Sequence, residues 1–457
     1  MAGKAAHKAD ALLALGAVEL RDRLASGALT ARELAGACLD RIARLEPEVQ
    51  AFAYLDGEDV LAQADRLDER RRSGAPLGPL HGLPVALKDV IDTARMPTEN
   101  GTVLDRGRVP LKDAALVAKL RGAGAIILGK TVSTELAYLA PSKTRNPRAP
   151  GRTPGGSSSG SAAAVAAGMV PLAVGTQTGG SVIRPAAYCG TVGFKPSFGA
   201  IPRTGVLVQS PTLDTVGVFA ASVADAAMLA EVLCGHDPGD PATAPAPSPR
   251  MLDLAQAPPP VLPTLAFVRL PGHETADPDM RAAMDELAAA LGDRCFEAAL
   301  PTAFDEAAAV RERINFAEMA KFYYGYEKRG WDQLAPETRA AIEAGKAVPA
   351  RDYIAALDWP DVLYAGLEEV FERCDAILTA AAPGPAPEGY GSTGSSIFNG
   401  LFTLCGTPAV TLPAFQTGAG LPMGLQLVGR RGEDGRLLRT AAWLARELEA
   451  LQSEDAE

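Results

Sequence analysis

Near the amino terminus, apolar residues recur every three or four positions, which is the spacing of one helical face. The residues at this spacing are Leu34, Cys38, Ile42 and Leu45. The preceding run Thr30-Ala-Arg-Glu33 is typical of a helix start, because the threonine and the glutamate can cap each other's backbone amides. We therefore predict that residues 1–75 are mostly helical, with an amphipathic first helix at residues 11–18.

Between residues 80 and 220, short apolar or β-branched runs alternate with helical patterns. The runs lie at residues 84–87, 125–128 and 170–174, and the helical patterns include residues 113–122 and 161–168. Such alternation is typical of an α/β sheet core. Strand-like segments return at residues 376–379, 409–412 and 424–428, and a helical pattern from about 435 to 450 follows them.

The stretch between these two sheet-forming parts differs in composition. Residues 236–263 are dense in proline, which predicts an extended loop or a surface crossover, and residues 275–372 are mostly helical in pattern. The helical part carries an aromatic cluster of Phe316, Phe322, Tyr323, Tyr324, Tyr326 and Trp331. These rings could line an entrance for apolar substrates, or they could pack between helices as ordinary core.

The patterns divide the 457 residues into four regions, which we interpret as parts of a single domain. They are a helical region at 1–75, a core at 76–235, a variable and mostly helical region at 236–375, and a region of strands and a helix at 376–457. With 47% hydrophobic residues, a chain of this size can bury a core without disulfides or a structural metal.

The charge balance disfavours several kinds of partner. The net charge is −11, and basic and acidic residues alternate in the densest basic stretch, at 66–72, so we expect no nucleic-acid binding. No apolar run approaches the ~18 residues of a membrane span, so we expect no membrane association. Six cysteines without C-x-x-C pairs and four histidines without metal-ligand spacing predict a cytoplasmic protein that binds no metal.

Two short motifs suggest chemistry that their surroundings do not support. Residues 124–131 satisfy the phosphate-loop pattern G-x4-G-K-T, but the intervening Ala-Ile-Ile-Leu reads as a buried strand rather than a loop around phosphates. Residues 156–160 match the G-x-S-x-G pattern of a nucleophile elbow, which requires a preceding strand and a later histidine. The preceding residues read as coil, and the histidines after the motif lie in or just beyond the proline-rich stretch.

Once these two motifs are excluded, a different group of candidate catalytic residues remains. Glycine and serine dominate residues 155–161, a second Gly-Gly-Ser ends at Ser181, and Lys88 stands alone at the end of an apolar run. Closely spaced glycines allow backbone amides to converge on a developing oxyanion. A serine needs a base to become a nucleophile, and a desolvated, neutral lysine can serve where histidine is unavailable. Taken singly, each feature is also typical of a linker, a structural helix start or an exposed charge.

These residues resemble the amidase signature family. The run GGSSSGSAAAVAAGMVPLAVGTQTGGSVIRPAAYCGTVGFKPSFG, residues 155–199, is similar to the family's Gly/Ser-rich stretch along its full length. HGLPVALKDVIDT is similar to its lysine segment, and CGTPAVTLPAF with GLPMGLQLVGR to its last strands. The resemblance covers most of the chain and weakens over about 236–375. It implies one α/β domain with a mixed central sheet covered by helices on both faces.

The resemblance also implies roles for individual residues. Lys88 would be the base, Ser157 the bridging serine on a cis peptide, and Ser181 the nucleophile. The backbone amides of residues 178–181 (Thr178, Gly179, Gly180 and Ser181) would form the oxyanion hole. Residues 76–235 would then be the catalytic core and residues 236–375 a substrate-access region, and no metal or organic cofactor is implied.

Two positions depart from the family pattern. Gln177 stands where an aspartate is usual, and Arg184 follows the nucleophile by three positions instead of two. Both could contact substrate. Because a guanidinium binds a carboxylate through two hydrogen bonds, Arg184 could pair with a carboxylate-bearing substrate, or it could only support the nucleophile loop.

The implied activity is cleavage of the C–N bond in small amides through an acyl-enzyme. Aryl amides, carbamates (urethanes) or esters are possible further substrates. We expect the enzyme to act as a monomer or a homodimer. An alternative is the catalytic component of a complex like the glutamyl-tRNA amidotransferase, which works with partner chains. The net charge, Gln177 and the spacing of Arg184 argue mildly against it. A nucleotide-binding protein on the same fold has only the G-x4-G-K-T run in its favour.

Overall fold

The computed structural model describes residues 10–454, and in this part of the chain a single mixed sheet of eleven strands organises the fold. The strands are β1 Phe52–Leu55, β2 Pro84–Lys88, β3 Ile126–Thr131, β4 Leu172–Gln177, β5 Val192–Lys195, β6 Thr215–Ala220, β7 Leu265–Val268, β8 Cys295–Ala298, β9 Ala376–Ala380, β10 Ala409–Gln416 and β11 Pro422–Val428. Their order across the sheet is β1-β3-β2-β4-β6-β5-β10-β11-β9-β7-β8. The predicted α/β class with a mixed central sheet is therefore confirmed.

Parallel pairing is confined to two groups of strands. β2 pairs in parallel with β3 and β4, and β7 pairs in parallel with β8 and β9, while the remaining pairs are antiparallel. Every residue of β2, β3, β4 and β6 is buried. Because side chains of a strand point alternately to the two faces of a sheet, this burial means that both faces are covered there.

From residue 17 to residue 454, sixteen α-helices flank the sheet. They are α1 Ala17–Ser26, α2 Ala31–Val49, α3 Gly57–Arg72, α4 Ala115–Gly122, α5 Ser159–Ala166, α6 Ile183–Cys189, α7 Val223–Leu233, α8 Met251–Gln256, α9 Pro278–Ala290, α10 Ala307–Phe322, α11 Tyr324–Gly330, α12 Pro336–Lys346, α13 Ala350–Ala356, α14 Trp359–Phe371, α15 Gly400–Leu404 and α16 Asp434–Glu454. Between residues 10 and 454, no helix is both long and apolar enough to cross a bilayer.

The structure corrects several sequence-based boundaries. The mostly helical stretches contain strands β1 and β8, and the proline-rich stretch contains the short helix α8. The single helix predicted at residues 11–18 is two pieces, because the chain is helical over residues 10–13, turns at residues 14–15 and is extended at Gly16 before α1 begins. The capping box at Thr30 is confirmed, and so is the strand within the G-x4-G-K-T run, which is β3.

Candidate active site

Lys88 and Thr176 lie close together because their strands run side by side in the same direction. Lys88 is the last residue of β2, and Thr176 is the last but one of the adjacent parallel strand β4. Since the carboxyl ends of parallel strands meet at one edge of a sheet, where ligands commonly bind, this edge is a natural place for a site. Lys88 Nζ lies 2.8 Å from Thr176 Oγ1 and donates a hydrogen bond to it.

Burial changes the acid–base character of Lys88. The side chain is fully buried, and loss of hydration lowers the pKa of its amine from the usual value near 10.5 to about 7, while nearby Asp214 acts in the opposite direction. A lysine in this range has a substantial neutral fraction near pH 7 and can accept a proton. The sequence alone could not establish this burial.

Ser157 is the second partner of Lys88. The amine donates to Ser157 Oγ at 2.7 Å, and the Gly156–Ser157 peptide bond is cis. The Ser157 carbonyl accepts a hydrogen bond from the Thr134 amide, which ties this segment to the loop after β3. Ser157 stands two residues before α5, so the structure brings together two of the three residues assigned to the catalytic triad.

Ser181 lies on the loop that joins β4 to α6, beside a cavity of about 240 Å³. Residues 178–180 line the same cavity. The backbone amides of residues 178–181 donate to no acceptor in the described part of the chain, so they are free to bind a ligand oxygen. The Ser181 hydroxyl forms no hydrogen bond with Ser157 in this structure, which leaves the second link of the expected relay open.

Gly180 needs to be glycine for steric reasons. A Cβ at this position would lie 2.7 Å from the Cβ of Ser396 and closer still to Asn399 Oδ1. A side chain here would therefore push the loop away from residues 396–399. The absence of a side chain lets the amides of the loop keep their place beside the cavity.

Gln177 holds this loop from within the protein. Its Oε1 accepts hydrogen bonds from the amides of Val182 (2.8 Å) and Ile183 (3.0 Å), and its Nε2 donates to Thr403 Oγ1. These contacts give Gln177 a positioning role at the start of α6, and its side chain is buried. A contact between Gln177 and substrate stays a prediction.

Arg184 lines the cavity and also fastens its surroundings. Its Nη2 donates to the Gly156 carbonyl at 2.6 Å and its Nη1 to the Gly394 carbonyl at 2.8 Å, so the guanidinium joins the cis peptide to the 393–394 loop. Burial lowers the pKa of Arg184 to about 10, and the group stays protonated at neutral pH. The alternative of a supporting arginine thus has direct contacts in the structure, and substrate recognition by Arg184 stays a prediction.

Asp214 is a site residue that the sequence analysis missed. Its Oδ1 accepts a hydrogen bond from Thr178 Oγ1 at 2.6 Å, and its Oδ2 accepts from the amides of Gln209 and Ser210. Burial raises the pKa of this carboxyl group to about 6, against the effect of these hydrogen bonds. No motif marks Asp214, whereas Thr176 could have been found as the polar end of a predicted strand.

The other serines of the Gly/Ser-rich stretch have structural partners. Ser158 Oγ donates to the Thr176 carbonyl and accepts from its amide, and Ser161 Oγ hydrogen-bonds Thr131 Oγ1 and the Val174 carbonyl. These contacts hold the start of α5 against β3 and β4. Ser158, the serine of the G-x-S-x-G run, is therefore engaged by the backbone of β4.

The aromatic cluster divides between core and cavity. Tyr323 is fully buried in a small core with Leu136, and its hydroxyl donates to the Leu136 carbonyl at 2.6 Å. Phe316 lines the cavity beside Ser181, whereas Phe322 lines an adjoining, more apolar cavity of about 230 Å³. Core packing therefore applies to Tyr323, and an entrance for apolar substrates at Phe316 and Phe322 stays a prediction.

The arrangement places together groups of the kinds that serve acyl transfer. A buried amine touches one serine hydroxyl, a second serine lies in a loop of free amides, and both belong to segments that border the same strand end. Over residues 10–454, no group of three histidine, cysteine, aspartate or glutamate residues is placed to hold a metal ion. Acyl transfer by a serine requires a base, a nucleophile and donors for an oxyanion, and these groups are of the corresponding chemical types.

We expect kcat/KM to increase with pH with a midpoint near pH 7, which is the acidic limb of the pH profile. The reason is that Lys88 must be neutral to accept a proton and its pKa is about 7. Replacing Asp214 with asparagine should move this limb to lower pH, since the ionised carboxylate favours the protonated amine. The amide oxygen of asparagine can still accept from residues 209 and 210. The measurement is the pH profile of kcat/KM in the wild type and in Asp214→Asn. An unmoved limb in Asp214→Asn would contradict this coupling.

Comparison with known proteins gives matches over most of the chain. A family profile described as Amidase matches residues 33–438. A glutamyl-tRNA(Gln) amidotransferase subunit from Chloroflexus aurantiacus is 37% identical over 460 residues, covering 91% of this chain and 93% of its own.

Two solved structures match nearly the whole chain. One is described as a vestigial protein complex that reveals the evolutionary origins of an s-triazine catabolic enzyme. It is 29% identical, with a TM-score of 0.88 over 95% of this chain and 98% of its own. The other, described as an amidase, is 31% identical, with a TM-score of 0.83 over 95% of this chain and 100% of its own. On its profile match, its sequence relatives and its fold, the chain belongs to the amidase signature family.

Proposed function

We propose that this protein cleaves the C–N bond of small amides through an acyl-enzyme on Ser181. The observation that carries the proposal is the buried contact of 2.7 Å between Lys88 Nζ and Ser157 Oγ, beside a loop whose amides are free. Neutral Lys88 accepts the Ser157 proton, Ser157 accepts the Ser181 proton, and Ser181 Oγ bonds to the substrate carbonyl carbon. The amides of residues 178–181 stabilise the negative oxygen that develops.

The same relay then runs in reverse. The proton held at Lys88 returns through Ser157 to the nitrogen of the leaving group, the C–N bond breaks, and an amine or ammonia departs. Water attacks the acyl-enzyme with its proton passing to the relay, which releases the acid and restores Ser181. Aryl amides, carbamates and esters can enter the same sequence, because each presents a carbonyl carbon with a leaving group.

A second candidate is the role of the amidase-like component in a complex like the glutamyl-tRNA(Gln) amidotransferase. The names of the curated relatives favour it over a stand-alone amidase, and one structural neighbour is described as part of a protein complex. In that case the natural partners include other subunits. The net charge of −11 and the features at Gln177 and Arg184 remain the arguments for an independent enzyme, active as a monomer or homodimer on a small molecule.

The isolated chain separates the two candidates. We expect the purified protein to release ammonia from small primary amides at a rate that Ser181→Ala removes, because the residues of the proposed relay all come from one chain. Ammonia release is measured over a panel of amides, with Ser159→Ala as a control for serine loss in a neighbouring segment. Labelling of Ser181 by a fluorophosphonate without any amide turnover would favour the role within a complex. Absence of both would refute Ser181 as the nucleophile.

A further inference from the structure

Arg311 places a guanidinium group in the same cavity as Ser181. It lies on α10, a helix from the variable region, and lines the cavity together with Ser181 and Arg184. A Cβ built on Gly179 would lie 3.2 Å from Arg311 Nη1, and one built on Gly400 would lie 2.7 Å from Arg311 Nε. The guanidinium therefore lies against the backbone of the loop that carries the free amides.

The helix holds Arg311 in this place through other residues. Asn315 Oδ1, one turn further along α10, accepts a hydrogen bond from Gln209 Nε2, and Glu318 accepts from the hydroxyls of Ser210 and Thr212. These contacts join α10 to the segment that also holds Asp214. The position of Arg311 is thus fixed from the same loop that braces the oxyanion hole.

Arg311 has little within the protein to bind. Its guanidinium donates no hydrogen bond to any described residue, and its ion pair with Glu312 is 4.0 Å long. Glu312 borders the same cavity, but its side chain is 55% exposed whereas that of Arg311 is 18% exposed, so solvent screens the carboxylate more than the guanidinium. A largely buried cation without a close acceptor is costly to maintain, which is typical of a group that binds a ligand.

Arg184 is less available for the same task. Its two terminal nitrogens already donate to the carbonyls of Gly156 and Gly394. Turning it towards a substrate would break the contacts that hold the cis peptide beside Ser181. Arg311 is the other positively charged residue that lines the cavity, and its guanidinium N–H groups are free of hydrogen bonds to the described residues.

We propose that Arg311 is the specificity-determining residue of the cavity and that the preferred substrates are small amides bearing a carboxylate at the end opposite the scissile bond. The proposal rests on the proposed amide cleavage for turnover, but the binding of the carboxylate does not require it. A planar guanidinium with free donors binds a carboxylate through two parallel hydrogen bonds. The substrate carbonyl would then face the amides of residues 178–181 while its carboxylate faces Arg311.

Paired substrates test the proposal in turnover. Succinamate and glutaramate each carry a terminal carboxylate, and the corresponding methyl-ketone amides replace that carboxylate with a neutral group of similar length. We expect Arg311→Gln to lower kcat/KM for the carboxylates by about 10- to 100-fold more than for the ketones, and Arg311→Lys to recover part of the difference. Arg313→Gln, on the same helix and outside the cavity, is the control for loss of charge.

Binding without turnover separates this proposal from the proposed function. Calorimetry with Ser181→Ala and with Ser181→Ala/Arg311→Gln compares the affinity for succinamate and glutaramate when no acyl-enzyme can form. A drop in affinity of similar size in the double variant supports the proposal even if the catalytic scheme fails. Equal affinity in the two proteins, no binding of either carboxylate, or a matching loss in Arg313→Gln would overturn it. A selective loss in Ser181→Ala/Arg184→Gln alone would assign the carboxylate to Arg184 instead.

Discussion

Replacing Lys88 with methionine is expected to slow the reaction of Ser181 with a fluorophosphonate by about 10²- to 10⁴-fold, the usual contribution of a general base. In this reaction Ser181 Oγ bonds to phosphorus, fluoride leaves, and the serine proton passes towards Lys88. Methionine keeps most of the volume of the buried stem and removes only the amine. Intact mass and peptide mapping measure the rate and locate the adduct on the peptide that carries Ser181.

Lys195 provides a matched control for this experiment. It is fully buried like Lys88, and burial lowers the pKa of its amine to about 7 as well. Its amine, however, donates to the carbonyls of Pro196 and Thr407 and touches neither serine. Lys195→Met should cost about 1–3 kcal/mol of unfolding free energy through the unpaired carbonyls, without slowing the reaction at Ser181. Equal labelling rates in Lys88→Met and wild type would rule out Lys88 as the base.

The second large effect concerns Ser157. Ser157→Ala should reduce kcat/KM for amide hydrolysis by about 10²- to 10⁴-fold, because the proposed relay passes through the Ser157 hydroxyl, which accepts a hydrogen bond from Lys88. The variant retains Lys88 and Ser181, so a loss of this size isolates the bridging step. Steady-state kinetics on a small primary amide is the measurement.

Ser159 is the appropriate comparison for Ser157. Its hydroxyl is buried and donates to the Gly155 carbonyl at 2.9 Å, away from Lys88. Ser159→Ala should cost about 0.5–1.5 kcal/mol of stability while kcat/KM remains near that of the wild type. If the two variants lost activity to the same extent, the loss would reflect packing of the segment, and the relay through Ser157 would not stand.

The sequence was informative where a local pattern carries the signal. Buried strands such as β2, β3 and β4 were predictable because continuous apolar runs are what a doubly covered sheet requires. Short strands in helical surroundings, β1 and β8, were missed because their stability comes from pairing with distant partners. The four residues of each of these strands carry no local pattern that indicates its pairing partner.

Three buried lysines show that a local sequence pattern does not by itself identify a catalytic base. Lys88, Lys130 and Lys195 are each fully buried in or at the end of a strand, so an apolar context alone does not single out a base. The sequence pattern marked Lys88 as a candidate base, and the resemblance to a family gave it that role by position. What distinguishes it physically is its contact with Ser157, and that contact joins residues 69 positions apart.

The importance of Arg311 and of Asp214 could not be predicted from the sequence. Both take their significance from neighbours on other segments: Asp214 from Thr178 and Lys88, and Arg311 from Gly179. Arg184, by contrast, was noticed because it stands near Ser181, yet its hydrogen bonds are to the carbonyls of Gly156 and Gly394. Nearness to Ser181 in the sequence therefore did not indicate which arginine has guanidinium N–H groups free to bind a ligand.

The sheet order has a consequence for how this protein can diversify. The proposed relay depends on residues 88–181, whereas α10 belongs to the segment between β8 and β9, strands that lie with β7 at the far side of the sheet. The cavity-facing side chains of α10 thus come from a different part of the chain than the strand ends that position Lys88 and Thr176. A directed library at the cavity-lining positions Arg311 and Phe316 can therefore vary the wall opposite Ser181, provided that it keeps Asn315 and Glu318, which hold the segment beside Asp214.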